Sequence, residues 1–276
     1  MERSTHGFMS SDGETLLTFD VYRSTELARA TLVWGHGGGF ISGCSRDRYI
    51  TKLVEALAND RITIIAINYR KSVPLDAFSL VKQGCILEGM RRTKETGLRI
   101  EPSLYGSAFY AAVEDFGEAL KVIRSRKDEL GAHGPIIAGG YSAGGITAFS
   151  SSYPPSGEWE DLPKPDASFG VSAAMVQPWR LTVNGPPCSA LHAVRDRTVS
   201  ARFWRKALGT IEKSGAPFDV VIASTYGHSR MMEYFMRGVD ESGKPYLDQL
   251  RYLISSASCK THSNNGPQKR LRHSNQ

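Results

Sequence analysis

The 276-residue sequence has no apolar stretch long enough to cross a bilayer, and its first seven residues are polar, unlike the start of a secretory signal. It is poor in cysteine: Cys44, Cys85, Cys188 and Cys259 stand apart, without the spacing that zinc or dithiol chemistry requires. That usage suits a reducing compartment, so a cytoplasmic protein with no membrane span is expected. Low-complexity linkers and internal repeats are missing too, which predicts a single domain over residues 1–258. Acidic residues are absent from 260–276, where Lys260, Lys269, Arg270 and Arg272 carry four of the six net positive charges. Residues 259–276, rich in Asn, Ser, Gln and Lys, therefore read as a disordered basic tail. The basic balance belongs to this tail, and no nucleic-acid partner is expected.

What the chain does have is Gly140-Tyr141-Ser142-Ala143-Gly144, placed after the apolar run Pro135-Ile136-Ile137-Ala138-Gly139 and before Ile146-Thr147-Ala148-Phe149. A short buried strand, a sharp turn and a helix are the surroundings a G-x-S-x-G nucleophile elbow needs. Ser142 is the candidate nucleophile. Upstream, the strand-like run Thr31-Leu32-Val33-Trp34 enters Gly35-His36-Gly37-Gly38-Gly39-Phe40. Consecutive glycines can turn their N–H groups toward one point and leave room for a ligand oxygen. With the N–H of Ala143, the amides of Gly38 and Gly39 would supply three donors to a tetrahedral oxyanion, each worth roughly 3–4 kcal/mol. His36 is expected to prop this loop rather than to transfer protons.

The pair of motifs resembles the α/β-hydrolase fold and, within it, the carboxylesterase and lipase group similar to hormone-sensitive lipase. Asn68-Tyr69-Arg70, closing the run 62–67, fits the same pattern, and the likeness extends from about residue 15 to about 239. In such enzymes an acid and then a histidine follow the serine. Asp196 lies just past the strand-like run 189–194, on the edge where open α/β sheets place their chemistry. Asp166, Asp219 and Asp240 fit that place less well. His228, after the run 218–224 and directly behind Gly227, is the matching base, since an imidazole accepts and returns protons near neutral pH.

The rest of the sequence supplies the scaffold. Strand-like runs at 16–22, 32–34, 62–68, 136–139, 169–176, 189–194 and 220–223 alternate with apolar stripes at helical spacing near residues 49–57, 113–123, 204–211 and 247–254. This alternation predicts a mainly parallel central sheet of about eight strands with helices on both faces, begun by an antiparallel segment between residues 9 and 22. Two segments, 71–110 and 177–187, read as lid or pocket-shaping loops. The short N-terminal region leaves no room for the helical cap that many relatives build there. A less enclosed pocket is implied, with space for a larger alcohol or amide portion.

The resemblance thus implies a serine hydrolase cleaving carboxylic esters of small molecules through an acyl-enzyme, with Ser142, Asp196 and His228 as triad and no metal or organic cofactor. The same triad serves amidases, peptidases and sugar or polymer deacetylases, and the fold also serves as a ligand receptor without turnover; the motifs do not separate these. A homodimer is compatible with the resemblance, and no residue pattern argues for it.

Overall fold

The structure, a computed structural model, describes residues 1–96 and 100–263. The chain begins with an antiparallel hairpin, β1 (Glu2–Met9) and β2 (Leu16–Arg23), and β2 pairs antiparallel with β4 (Ile62–Ile67). From there the sheet is parallel: β3 (Ala30–Gly35), β5 (Ile136–Tyr141), β6 (Ala167–Val171), β7 (Cys188–Arg195) and β8 (Phe218–Tyr226). The strand order is β1-β2-β4-β3-β5-β6-β7-β8.

Strands β3, β4 and β5 are buried at every residue because both sheet faces are covered, which is why they read as continuous apolar runs rather than alternating ones. Along β3 and β4, Trp34 and Ile64 point to one face and Val33 and Ile65 to the other. The first face is covered by α1 (Arg48–Ala56), α7 (Arg230–Arg237) and α8 (Leu247–Ser263), through Leu53, Phe235 and Ile254. Onto the second pack α3 (Ser107–Ser125), α5 (Ala143–Ser152) and α6 (Arg202–Ser214), through Phe116, Phe149 and Trp204. Each such side chain contributes roughly 1.5–3 kcal/mol by leaving water. The remaining helices are α2 (Leu80–Glu95) and the single turn α4 (Lys127–Leu130). Among the described residues, no helix is long and apolar enough to cross a membrane.

Local signals set several boundaries. Asp47 caps α1 by accepting from the amides of Tyr49 and Ile50, and Ser79 caps α2 by accepting from that of Lys82. Several segments depart from the sequence reading. The antiparallel pairing starts at Glu2, ahead of the segment expected between residues 9 and 22, because an edge strand pairs through its backbone and needs no apolar pattern. The segment 71–110, read as a loop, holds the helix α2, which buries only Ile86 and Thr93 and so shows no apolar stripe. The strand expected over 169–176 stops at Val171, because Ser172 takes a left-handed φ of 50° that ends the extended ladder. The apolar residues after it are buried as a loop, held where the Trp204 indole donates to the Ala173 carbonyl. Helix α8 runs on to Ser263, into the stretch expected to be disordered; residues 264–276 lie outside the described residues.

Hairpin and sheet are joined to the glycine-rich turn after β3 by polar contacts. The buried Asp20 of β2 accepts from Ser45 Oγ (2.6 Å), from Thr5 Oγ1 (2.6 Å) and from both Nε and Nη2 of Arg46 (3.0 Å each). Burial alone would raise its pKa, but these bonds hold it down at about 2. Arg70, after β4, forks onto Asp115 of α3 at 2.9 Å and also meets Glu114 and Asp12.

Candidate active site

Strand β5 passes into α5 through one residue, Ser142, held at φ 53° and ψ −120°. A non-glycine residue in that region costs of order 1–3 kcal/mol, so its surroundings must enforce it. They do: the Ser142 amide donates to Val171 O at 2.9 Å, and its carbonyl accepts from Ile146 N at 3.0 Å. The turn also needs α5 to lie almost against β3. A Cβ on Gly144 would come 2.0 Å from the Gly35 carbonyl oxygen, so only glycine fits there.

The turn presents Ser142 Oγ to the end of the parallel strands, where two other loops arrive. His228, after β8, has Nε2 2.8 Å from Ser142 Oγ and Nδ1 2.7 Å from Asp196 Oδ2. Because a carboxylate oxygen accepts, Nδ1 carries the imidazole proton and Nε2 is free to accept from the serine hydroxyl. Asp196, in the turn after β7, has a fully buried side chain and spends its other oxygen on the amides of Thr198 (2.8 Å) and Val199 (2.9 Å). Those bonds fix the carboxylate's direction. The three residues selected from separate stretches of sequence thus meet in one hydrogen-bonded line.

Sequence reading did not single out three supporting residues. His192, on β7 and fully buried, has Nε2 2.8 Å from Val199 O and 3.5 Å from Asp196 Oδ2. The carbonyl can only accept, so Nε2 is the protonated nitrogen, and burial lowers the ring's pKa to keep it neutral. It thereby ties down Val199, the residue whose amide helps to aim Asp196. Ser172 donates to the His228 carbonyl at 3.0 Å, and Tyr141 stands beside the His228 ring at 5.2 Å between centroids. A polar residue at a buried strand position four before the acid was the one readable trace of His192.

The glycine-rich loop after β3 closes the remaining side. Gly38 and Gly39 take φ of 119° and 63°, and the Gly38 carbonyl turns inward to accept from the amides of Ile41 and Ser42. A Cβ on Gly38 would lie 2.1 Å from Ser42 O. Among the described residues, no protein group accepts from the N–H of Gly38 or Gly39. Ala143 is the first residue of α5, so its amide is one of the helix's unpaired donors at the positive end of the dipole. His36 sits under the loop, with Nδ1 2.6 Å from Gly37 O, its ring stacked on Tyr69 at 4.2 Å, and Tyr69 Oη donating to His36 O at 2.6 Å. Its Nε2 is buried without a partner, and burial lowers its pKa to about 4. It is a neutral strut.

No family model matches the chain, and no curated protein matches it in sequence. Solved structures match it over nearly its whole length. The native thermophilic esterase 2 of the planctomycete Thermogutta terrifontis covers 97% of this chain and 95% of its own, at a TM-score of 0.63 and 16% identity. A lipase/esterase from Lactobacillus plantarum covers 93% of this chain and 98% of its own, at 0.62 and 13%. The chain has the α/β-hydrolase fold. The T. terrifontis esterase phosphorylated by paraoxon aligns equally well, with a TM-score of 0.61, 16% identity, and 97% and 96% of the two chains covered. In the hydrolase fold of this chain, the serine turn follows β5, the carboxylate follows β7 and the imidazole follows β8.

Proposed function

We propose that this protein is a serine hydrolase that cleaves carboxylic esters through an acyl-enzyme. The observation that carries the reading is the line Ser142–His228–Asp196, joined at 2.8 and 2.7 Å beside amides that no protein group occupies. Ser142 Oγ attacks the ester carbonyl while His228 Nε2 takes its proton, and the negative charge that develops on the carbonyl oxygen is met by the N–H groups of Gly38, Gly39 and Ala143. His228 then gives its proton to the departing alkoxide, leaving the acyl group on Ser142. Water, deprotonated by the same nitrogen, releases the acid and restores the hydroxyl. Asp196 holds the ring in the required tautomer and stabilises the imidazolium. The structural neighbours, themselves named as esterases, support the direction of this reading at the level of fold.

The test is direct. Purified protein should hydrolyse p-nitrophenyl acetate and take up a fluorophosphonate, and Ser142→Ala should lose both. A phosphonate adduct that persists in Ser142→Ala would overturn the assignment.

A further inference from the structure

Two neighbouring parallel strands end in the same unusual way. Ser142, at φ 53°, follows β5, and Ser172, at φ 50°, follows β6. Glycine takes that φ freely, whereas a residue with a Cβ is strained there. The strain at Ser142 presents the nucleophile. At Ser172 a glycine would end the strand equally well, so the serine side chain needs a reason of its own.

The position is held from three elements. Ser172 is fully buried, and its amide donates to Leu191 O of β7 at 2.9 Å. The next residue, Ala173, lies so close to α5 that a Cβ on Gly145 would come 2.6 Å from its methyl, and its carbonyl accepts from Trp204 Nε1 of α6 at 3.1 Å. Strain can persist where the surroundings fix a residue this firmly.

The dipeptide Val171-Ser172 grips both partners of the proton transfer. Val171 O accepts from the Ser142 amide at 2.9 Å, and Ser172 Oγ donates to the His228 carbonyl at 3.0 Å. The reacting atoms, Ser142 Oγ and His228 Nε2, stand 2.8 Å apart. His228 itself lies between the end of β8 and the start of α7, directly after Gly227 at φ 97°. A base in such a loop keeps its distance from the nucleophile only if its backbone is tied to something fixed. Ser172, anchored in the sheet, is such a tie. Misplacement by about 1 Å can cost about 100-fold in rate.

We propose that Ser172 is a positioning residue for proton transfer from Ser142 to His228, its hydroxyl fastening the loop of the base to the same dipeptide that holds the nucleophile's amide. Being buried, it acts through His228 and not on the substrate. This rests on the serine-hydrolase reading above.

The experiment uses two variants. Ser172→Ala keeps the strained backbone and removes the hydroxyl, and Ser172→Gly removes both. Each is measured for kcat and KM with p-nitrophenyl acetate, for the rate of fluorophosphonate labelling and for thermal melting by circular dichroism. Both should lose about 10- to 100-fold in kcat and in labelling rate, with KM changed by less than about threefold. Ser172→Gly should nevertheless melt close to wild type and no lower than Ser172→Ala, because relief of the left-handed strain offsets the lost bond. Activity and stability are thereby separated in one protein. Turnover in Ser172→Gly within about twofold of wild type would overturn the proposal, and so would a loss confined to KM. A glycine variant that melts far below wild type would assign the hydroxyl to the fold and overturn it as well. A wild-type protein showing neither hydrolysis nor a phosphonate adduct would instead sink the underlying reading.

Discussion

The strut under the glycine loop makes a pH-dependent contribution to stability whose size can be worked out. His36 is 2% exposed, its Nδ1–H is spent on Gly37 O, and its Nε2 faces no acceptor. Protonating Nε2 would place an unpaired cation in the interior. Burial, helped by nearby Lys71 and only partly countered by the bond to Gly37, puts the folded pKa at about 4 against an ordinary 6.5. Between those values the unfolded chain binds a proton that the folded chain refuses, so the stabilisation is complete above about pH 6.5 and is lost as pH falls toward 4. At about 1.4 kcal/mol per pH unit the whole loss is ~3 kcal/mol, of which ~2 kcal/mol is gone by pH 5. His36→Phe keeps the stack on Tyr69 and removes the titration together with one hydrogen bond worth ~1 kcal/mol. Urea denaturation at pH 7 should find the variant less stable by about that amount, whereas at pH 5 it should equal or exceed wild type. His192, buried and lowered in the same direction, is present in both proteins and cancels in the difference. Parallel pH dependences for the two proteins would refute the reasoning.

Asp196→Asn keeps the shape of the acid but offers His228 Nδ1 no carboxylate, so kcat for p-nitrophenyl acetate should fall by about 10⁴ with the fold unchanged by circular dichroism. Gly144→Ala drives a methyl into the Gly35 carbonyl, and a thermal scan should show either insoluble protein or a loss above ~3 kcal/mol. Asp20→Asn removes a carboxylate held at about 2 in the fold. Wild type should lose stability as pH drops from about 4 toward 2, and the variant should lose less over that window in acid titration followed by fluorescence.

The parts of the fold that sequence reading reached are those where one physical demand acts alone. Strands β3, β4 and β5 must be apolar throughout because both faces are covered, and α1, α6 and α8 show a stripe because one face is. Strand β1 was not legible: the antiparallel segment expected between residues 9 and 22 takes in only its last residue. Residues 2–6 are polar and largely exposed on an edge, paired by backbone bonds that any side chain permits. Helix α2 gave no clear stripe because it buries only Ile86 and Thr93 fully. The run 169–176 misled because burial, the cause of its apolar character, is shared by strand and loop. At the site, the serine turn and its partners were readable from glycine placement and strand ends. What surrounds them was not. The role of His192 depends on a carbonyl seven residues further on, and that of Ser172 on one 56 residues away.

The pairing of β3 with β5 brings Thr31 beside Ile136, closing a loop of about a hundred residues that contains the whole of the segment 71–110. Closure entropy grows only with the logarithm of loop length, so the roughly forty residues from 71 to 110 add about 0.4 kcal/mol to that step. Lengthening the chain at this point is therefore nearly free for the assembly of the sheet. Segments of new length and shape can be inserted or deleted there while the strands that lead to Ser142, Asp196 and His228 stay as they are.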